Sequence, residues 1–395
     1  MYTFGRIEEE LTVTIDQARE IAGRFAEAMA AGLAGRPSPL KMLPSYLGTP
    51  RGDERGRYLA LDFGGSNVRA QEIELTGAGG WLVRRHVAAP LRDRAAGYDY
   101  TAASATGEEL FAFIADLIAG VAEADRDYLL GHTFSFPCRQ QDVNHAELIA
   151  WTKEIKTAGV EGREVNSLLA AALARRSLGC VRPVAVLNDT VGTLLAASYA
   201  DPDASIAAIC GTGHNACYYD ADRAMIINME SGNFDALPVT RWDAGLDAAS
   251  ERPGTQRMEK MVAGRYLGEL VRLAAADLGN PVGEPYSLST RAVASWLEGA
   301  AGVASLRPLA ELVVARSARL VAAALTGMLA HIDPAMTRRH TIAVDGSLYE
   351  KMPGYPGIMA ADLAAILGEA AGRVSIRMTK DGSGVGAAIA AAVAR

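Results

Sequence analysis

Twice along this chain an apolar strand runs into a glycine turn and returns as a second strand. The first copy reads YLALDFGGSNVR followed by AQEIEL (residues 58–75), and the second reads IAAICGTGHNACYY (206–219). Each pattern predicts a β-hairpin. Glycines beside a hydroxyl residue and an Asn leave backbone N–H groups bare and able to point at an anion. Asp62, just before the first turn, is placed to hold a hydrated Mg²⁺. Either hairpin alone reads equally as a plain turn, with Asp62 a surface carboxylate. The pair predicts an internally duplicated α/β protein with a nucleotide between its halves.

Between the hairpins, VAVLNDTVGTLLAASY (184–199) opens as a short β-branched run and breaks at Asn188-Asp189-Thr190. It then continues with helical spacing through Leu194, Leu195 and Tyr199. A polar triplet at the carboxyl end of a buried strand, opening a helix, is where an α/β fold places its chemistry. The competing reading makes Asp189 or Thr190 a simple helix cap.

A chain of 395 residues, half of them hydrophobic, suits two domains and a large core. A net charge of −7 argues against nucleic acid and anionic membrane surfaces as partners. Cys138, Cys180, Cys210 and Cys217 lie far apart with no metal-like spacing, and read as reduced thiols of a cytoplasmic protein. The opening MYTFGRIEEE lacks the pattern of a secretory leader. The longest apolar stretch, 320–329, is too short to span a bilayer and reads as a buried helix.

Other segments punctuate the chain. Amphipathic spacing predicts a helix over Ile15–Leu33. A Pro- and Gly-rich loop follows over 36–56. HTFSFPC (132–138) reads as a strand ending at a proline, followed by WTKE, in which Lys153 stands out or is a solvated surface lysine. A helix is expected from Glu164 to Arg175. INMESG places Glu230 at a strand end. Pro253 is a start signal for one helix running past Leu270 and Leu273. VDGSLY (344–349) is a strand-turn unit. DGSGVG (381–386) is a glycine turn before a small-residue helix at 387–394, and a lone turn of this kind is a weak anion-site signal.

In this order LALDFGGSNVR, HTFSFPC, WTK, LNDTVGT, CGTGHNACY, INMESGNF, PGTQRMEKMVAGRYLGELVRL, VDGSLY and DGSGVGAA resemble the hexokinase family. That family belongs to the sugar kinase, actin and heat-shock chaperone superfamily. The resemblance covers the chain from about Leu40 to its end. It implies an α/β, two-lobed actin-like ATPase (ribonuclease H-like) fold with duplicated mixed-sheet domains around a central cleft. The implied small domain is 57–188 with 379–395, and the large domain is 1–56 with 189–378.

The implied activity is ATP-dependent phosphorylation of a hexose 6-hydroxyl, D-glucose above all, with Mg²⁺ as cofactor, as the first step of glycolysis. Position by position, the resemblance makes Asp189 the base that accepts the hydroxyl's proton, with Lys153 near that hydroxyl and the transferred phosphoryl. It gives Ser135, Thr152, Asn188, Asn215, Glu230 and Glu259 to the sugar, with Gln256 nearby. Asp62, Gly64, Gly65, Ser66, Asn67 and Arg69 line the first phosphate turn, and Gly211, Thr212 and Gly213 the second. Gly346 and Ser347 lie by the adenosine. Three positions depart from the family: Ser66 replaces a common Thr, Ser231 replaces a Trp, and His214 occupies a variable position. Two other classes compete: a sugar-binding regulator without catalysis, and a chaperone-like ATPase. The first requires a lost base or cradle, and the second has no use for WTK with NDT.

Overall fold

The computed structural model describes residues 2–152, 154–300 and 305–394. The chain forms two compact units. One comprises Pro44–Ser205, Cys217–Asn228 and Thr379–Arg395; the other comprises Met1–Leu43, Ile206–Ala216 and Met229–Met378.

The first unit is built on a five-stranded mixed sheet in the order Val181–Leu187, Tyr128–Phe134, Arg55–Phe63, Asn67–Gly77, Gly80–Pro90. The first three strands run parallel, and the last two turn back antiparallel as hairpins. Because side chains alternate along a strand, Leu59, Leu61 and Phe63 share one face. They join Leu110, Phe111, Ile114 and Ile118 of the helix Gly107–Ala119 in a common core. Thr106 starts that helix with a capping box closed by Glu109. Ala60 and Asp62 take the opposite face. Gly131 is in register with Ala60, and a Cβ on Gly131 would stand 1.8 Å from the Ala387 carbonyl oxygen of the C-terminal helix.

That helix spans Gly382–Val393, opening five residues earlier than its small-residue run suggests. Helical glycines cost roughly 1 kcal/mol each against alanine. Here they allow two backbones to touch, since a Cβ on Gly386 would lie 2.0 Å from the Gly192 carbonyl oxygen. Gly192 belongs to the helix Asp189–Ala200, so this contact holds that helix in the first unit. Residues 189–205 thus differ from the division expected from the sequence. Residues 44–56 and 217–228 differ too, and they bond to each other: the Ser45 N–H donates to Ile226 O (3.1 Å) and the Ile226 N–H to Leu47 O (2.8 Å). Gly386→Ala is expected to destabilise by about 1–3 kcal/mol, the usual cost of overpacking. A lowered urea midpoint would show it, and an unchanged one would refute the close contact.

The strands Ala204–Cys210 and His214–Asp220 flank the second glycine turn, Met225–Asn228 follows them, and the second unit carries His340–Asp345 and Val374–Met378, which pair in parallel. The helix Ile15–Leu33 forms as its spacing predicts, with Thr14 and Gln17 closing a capping box. It packs on the helix Arg307–Ile332. This 26-residue helix contains the 320–329 stretch and is, contrary to expectation, long and apolar enough to cross a membrane by length and composition. It is a core helix of its unit, with 83% of its most apolar window buried. Its Arg316 makes a buried, bidentate pair with Asp243 at 2.9 and 2.7 Å.

Candidate active site

In the first unit, three neighbouring parallel strands end at one edge of the sheet. Asp62 and Leu187 are both in register with Thr133 on the strand between them. They therefore lie two strand spacings apart, ~10 Å. Beyond that level the chain delivers the turn 64–67, Ser135, and Asn188 with Asp189. Residues remote in sequence meet where an α/β sheet binds ligands. Trp151 brings Thr152 towards the same edge, because its ring packs 6.0 Å from Phe63, 6.0 Å from Phe134 and 5.0 Å from Phe136. Lys153 lies outside the described residues.

The first turn closes through Gly64 N–H to Asn67 O (3.1 Å), with Leu91 N–H bonded to Ser66 O (2.9 Å). Gly65 is half-buried, and Ser66 and Asn67 face solvent. The Asp62 carboxylate is held twice: Arg69 Nη2 donates to Oδ2 at 2.9 Å and Ser383 Oγ at 3.0 Å.

The helix after Leu187 settles the capping question. Asn188 is the cap, its Oδ1 accepting the Thr190 N–H at 3.0 Å, with backbone angles of an extended residue. Asp189 is the first helical residue, its Oδ1 also accepting the Thr190 N–H at 2.8 Å. A carboxylate in the first turn is stabilised by the helix dipole.

In the second unit, the turn 211–213 closes through Gly211 N–H to Gly213 O at 3.1 Å. Thr212 is exposed at its tip. The expected single helix from Pro253 is two helices, Arg257–Val262 and Gly264–Asp277, broken at an extended Ala263. Pro253 itself sits in a turn. The break has a cause: Gly264 N–H donates to Gly211 O (2.8 Å) and Arg265 N–H to Thr212 O (3.1 Å). The second helix thus starts by docking its first N–H groups on the glycine turn. Gly346, at φ +125°, backs the same turn; a Cβ there would stand 2.5 Å from Cys210 C and O. Ser347 follows it, exposed.

Glu259 reaches this turn from the first of those helices. Its Oε2 accepts the His214 N–H at 2.9 Å. Asn215 Oδ1 accepts the Ser231 N–H at 3.2 Å, which ties the strand to the Glu230 segment. Glu230 lies two residues past its strand rather than at its end, and both Glu230 (φ 54°) and Gln256 (φ 51°) adopt the left-handed region. Such backbone strain in non-glycine residues gathers at functional sites. Burial pushes the imidazoles of His132 and His214 down to about 4, so both are neutral at pH 7. His214 therefore offers no positive charge to a phosphate.

Several residues here received no role from the sequence: Gln71, Thr133, Asp381, Ser383 and Gly264. The DGSG motif was visible, but its partners lie some 310 positions away. Elsewhere in the first unit, a pocket of about 480 Å³ is lined by Tyr98, Tyr100, Phe113 and Arg176. It contains none of the expected site residues, and Arg176 is paired with Asp116 at 2.7 Å.

A hexokinase family model matches residues 3–199, and a second hexokinase model matches 205–301 and 298–393. Hexokinase-1 of Schizosaccharomyces pombe is 34% identical over 445 residues, covering 98% of this chain and 90% of that one. A crystal structure of a hexokinase matches with a TM-score of 0.89 at 31% identity, covering 98% of both chains. The hexokinase of Schistosoma mansoni, complexed with glucose, matches at 0.82 and 32% identity, covering 98% of this chain and 97% of that one. Fold and glycine turns together define a two-lobed, actin-like sugar kinase. The chain belongs to the hexokinase family, and its activity is phosphorylation of a hexose hydroxyl.

Proposed function

We propose that the phosphoryl group passes from ATP to the 6-hydroxyl of a hexose, with D-glucose the preferred acceptor, in the cytoplasm as the entry to glycolysis. The observation that supports the residue assignment best is the shared strand edge carrying Asp62, Ser135, Asn188 and Asp189. Phosphoryl transfer goes through a loose transition state, so the protein mainly positions groups and offsets charge. Asp189 accepts the hydroxyl proton as it is released, a task open to a carboxylate of ordinary pKa, about 3.9. Ser135, Thr152, Asn188, Asn215, Glu230, Gln256 and Glu259 hold sugar hydroxyls. The turns 64–67 and 211–213 hold the phosphates through backbone N–H groups, with Gly346 and Ser347 against the adenosine. Lys153 complements charge on the transferred group.

Mg²⁺ fits this donor set in one way. Among the described residues no three His, Cys, Asp or Glu side chains converge on a metal position. Asp62, held at one oxygen by Arg69 and Ser383, would be the single carboxylate toward an ion otherwise held by phosphate and water. When bound, Mg²⁺ neutralises developing charge on the phosphates.

A coupled assay of sugar phosphate formation over a panel of hexoses and nucleotides tests the whole reading. Product from none of the hexoses would refute it, and the non-catalytic regulator would replace it. Asp62→Ala is expected to weaken productive MgATP use while leaving sugar binding nearly intact. Lost sugar affinity by calorimetry, with normal nucleotide kinetics, would reverse the assignment of the two turns.

A further inference from the structure

Asp381 breaks a local rule. It occupies the N-cap of the C-terminal helix, where Asp normally accepts an N–H of the first turn. Yet it makes no side-chain cap bond, and its backbone sits at φ 57°, ψ 30°. A forgone cap and a left-handed non-glycine backbone both cost stability. The carboxylate points instead at the sheet. Its Oδ1 lies 2.6 Å from Arg69 Nη1, and its Oδ2 accepts Gln71 Nε2 at 3.0 Å. Gly384 leaves the room this requires, since a Cβ there would lie 2.3 Å from Gln71 Oε1 and 3.2 Å from Asp381 Oδ1.

Arg69 thus straddles two carboxylates, with Nη1 on Asp381 and Nη2 on Asp62. Ser383 Oγ, two residues into the same turn, donates to the same Asp62 oxygen that Arg69 holds. Its carbonyl in turn accepts Thr133 Oγ1 at 2.9 Å. Every one of these groups belongs to the first unit.

We infer that Asp381 is a positioning residue for the first phosphate turn: by holding one nitrogen of Arg69, it keeps that guanidinium from closing as a fork on Asp62. An arginine fork matches a carboxylate with two parallel hydrogen bonds. Without a competing carboxylate, Arg69 gains that geometry on Asp62 and neutralises it. Asp62 then has less negative charge for a metal–nucleotide complex. The inference rests on the reading of Asp62 given above.

The test uses the full chain with Asp381→Asn, Asp381→Glu and Asp62→Asn, and MgADP as the probe. Loss of a partner that orients a metal-facing carboxylate lowers affinity by about 10–100-fold. Calorimetry should therefore show MgADP binding weakened about tenfold or more in Asp381→Asn, and largely restored in Asp381→Glu. The KM for MgATP should rise in parallel while the KM for glucose stays put. The Asp381→Asn/Asp62→Asn double variant should bind no worse than Asp62→Asn alone, because Asp381 acts through Asp62. If Asp381→Asn binds MgADP normally while Asp62→Asn does not, the positioning role is overturned. A lowered melting temperature with equal losses for sugar and nucleotide also overturns it, leaving a structural ion pair. If Asp62→Asn binds MgADP normally, the reading of Asp62 falls and the inference falls with it.

Discussion

Asp189→Ala is expected to lower kcat by about 10²–10⁴-fold, the range for a general base, with the protein folded and MgADP affinity unchanged. Asn188 caps the helix, and Thr193 Oγ1 bonds the Asp189 carbonyl (3.0 Å), a backbone group that the substitution keeps. The substitution does remove the bond from the Thr190 N–H to Asp189 Oδ1 (2.8 Å), so a modest loss of stability accompanies the loss of turnover. The matching control is Asn188→Ala, which should destabilise by about 1 kcal/mol through the lost cap. The proposed sugar contact of Asn188 adds a rise in sugar KM. Comparing kcat, sugar KM and urea midpoint in the two variants separates base, ligand contact and cap. Turnover near wild type in Asp189→Ala would take the base role from it.

The elements that the sequence made legible are those whose signals are local. Ile15–Leu33 could be read to its ends because its apolar spacing and its Thr14–Gln17 box lie within the segment. Both glycine turns were legible for the same reason. What escaped depends on partners far along the chain. Nothing near Ala263 announces a break; it exists because the Gly211 and Thr212 carbonyls accept the next two N–H groups. Gly382, Gly384 and Gly386 look like a turn, and become helix because Gly192 and Gln71 need the space. The edge strand Gly80–Pro90 is largely exposed, so it carries no alternation of apolar and polar residues to find. Asp381 reads as a cap by every local rule and is turned away from its helix by Arg69 and Gln71. The turns and strand ends were therefore visible, and the bonds that hold them in place were not.

Glu259→Ala should raise the KM for glucose by roughly 10- to 1,000-fold, since a site built to bond a hydroxyl depends on that bond. The structure adds a second consequence. Glu259 Oε2 holds the His214 N–H, next to Gly213, so removing the carboxylate also loosens the second phosphate turn. The KM for ATP should rise too, by less. Glu259→Gln separates the effects. An amide oxygen still accepts the His214 N–H, so the KM for ATP should stay near wild type, while the lost charge still weakens the sugar bond. Deoxy sugars lacking the hydroxyl that Glu259 meets should hurt the wild type and barely hurt Glu259→Ala. Ser231 makes the sugar panel informative. It is fully buried where the family commonly has a Trp, and its Oγ has no hydrogen-bond partner among the described residues. That departure from the family bears on which hexose is accepted, so mannose, fructose and glucosamine belong beside glucose. An unchanged glucose KM in Glu259→Ala, with a raised KM for ATP, would confine Glu259 to bracing the phosphate turn. The sugar contacts would then have to come from the other residues proposed for the sugar, Ser135, Thr152, Asn188, Asn215, Glu230 and Gln256.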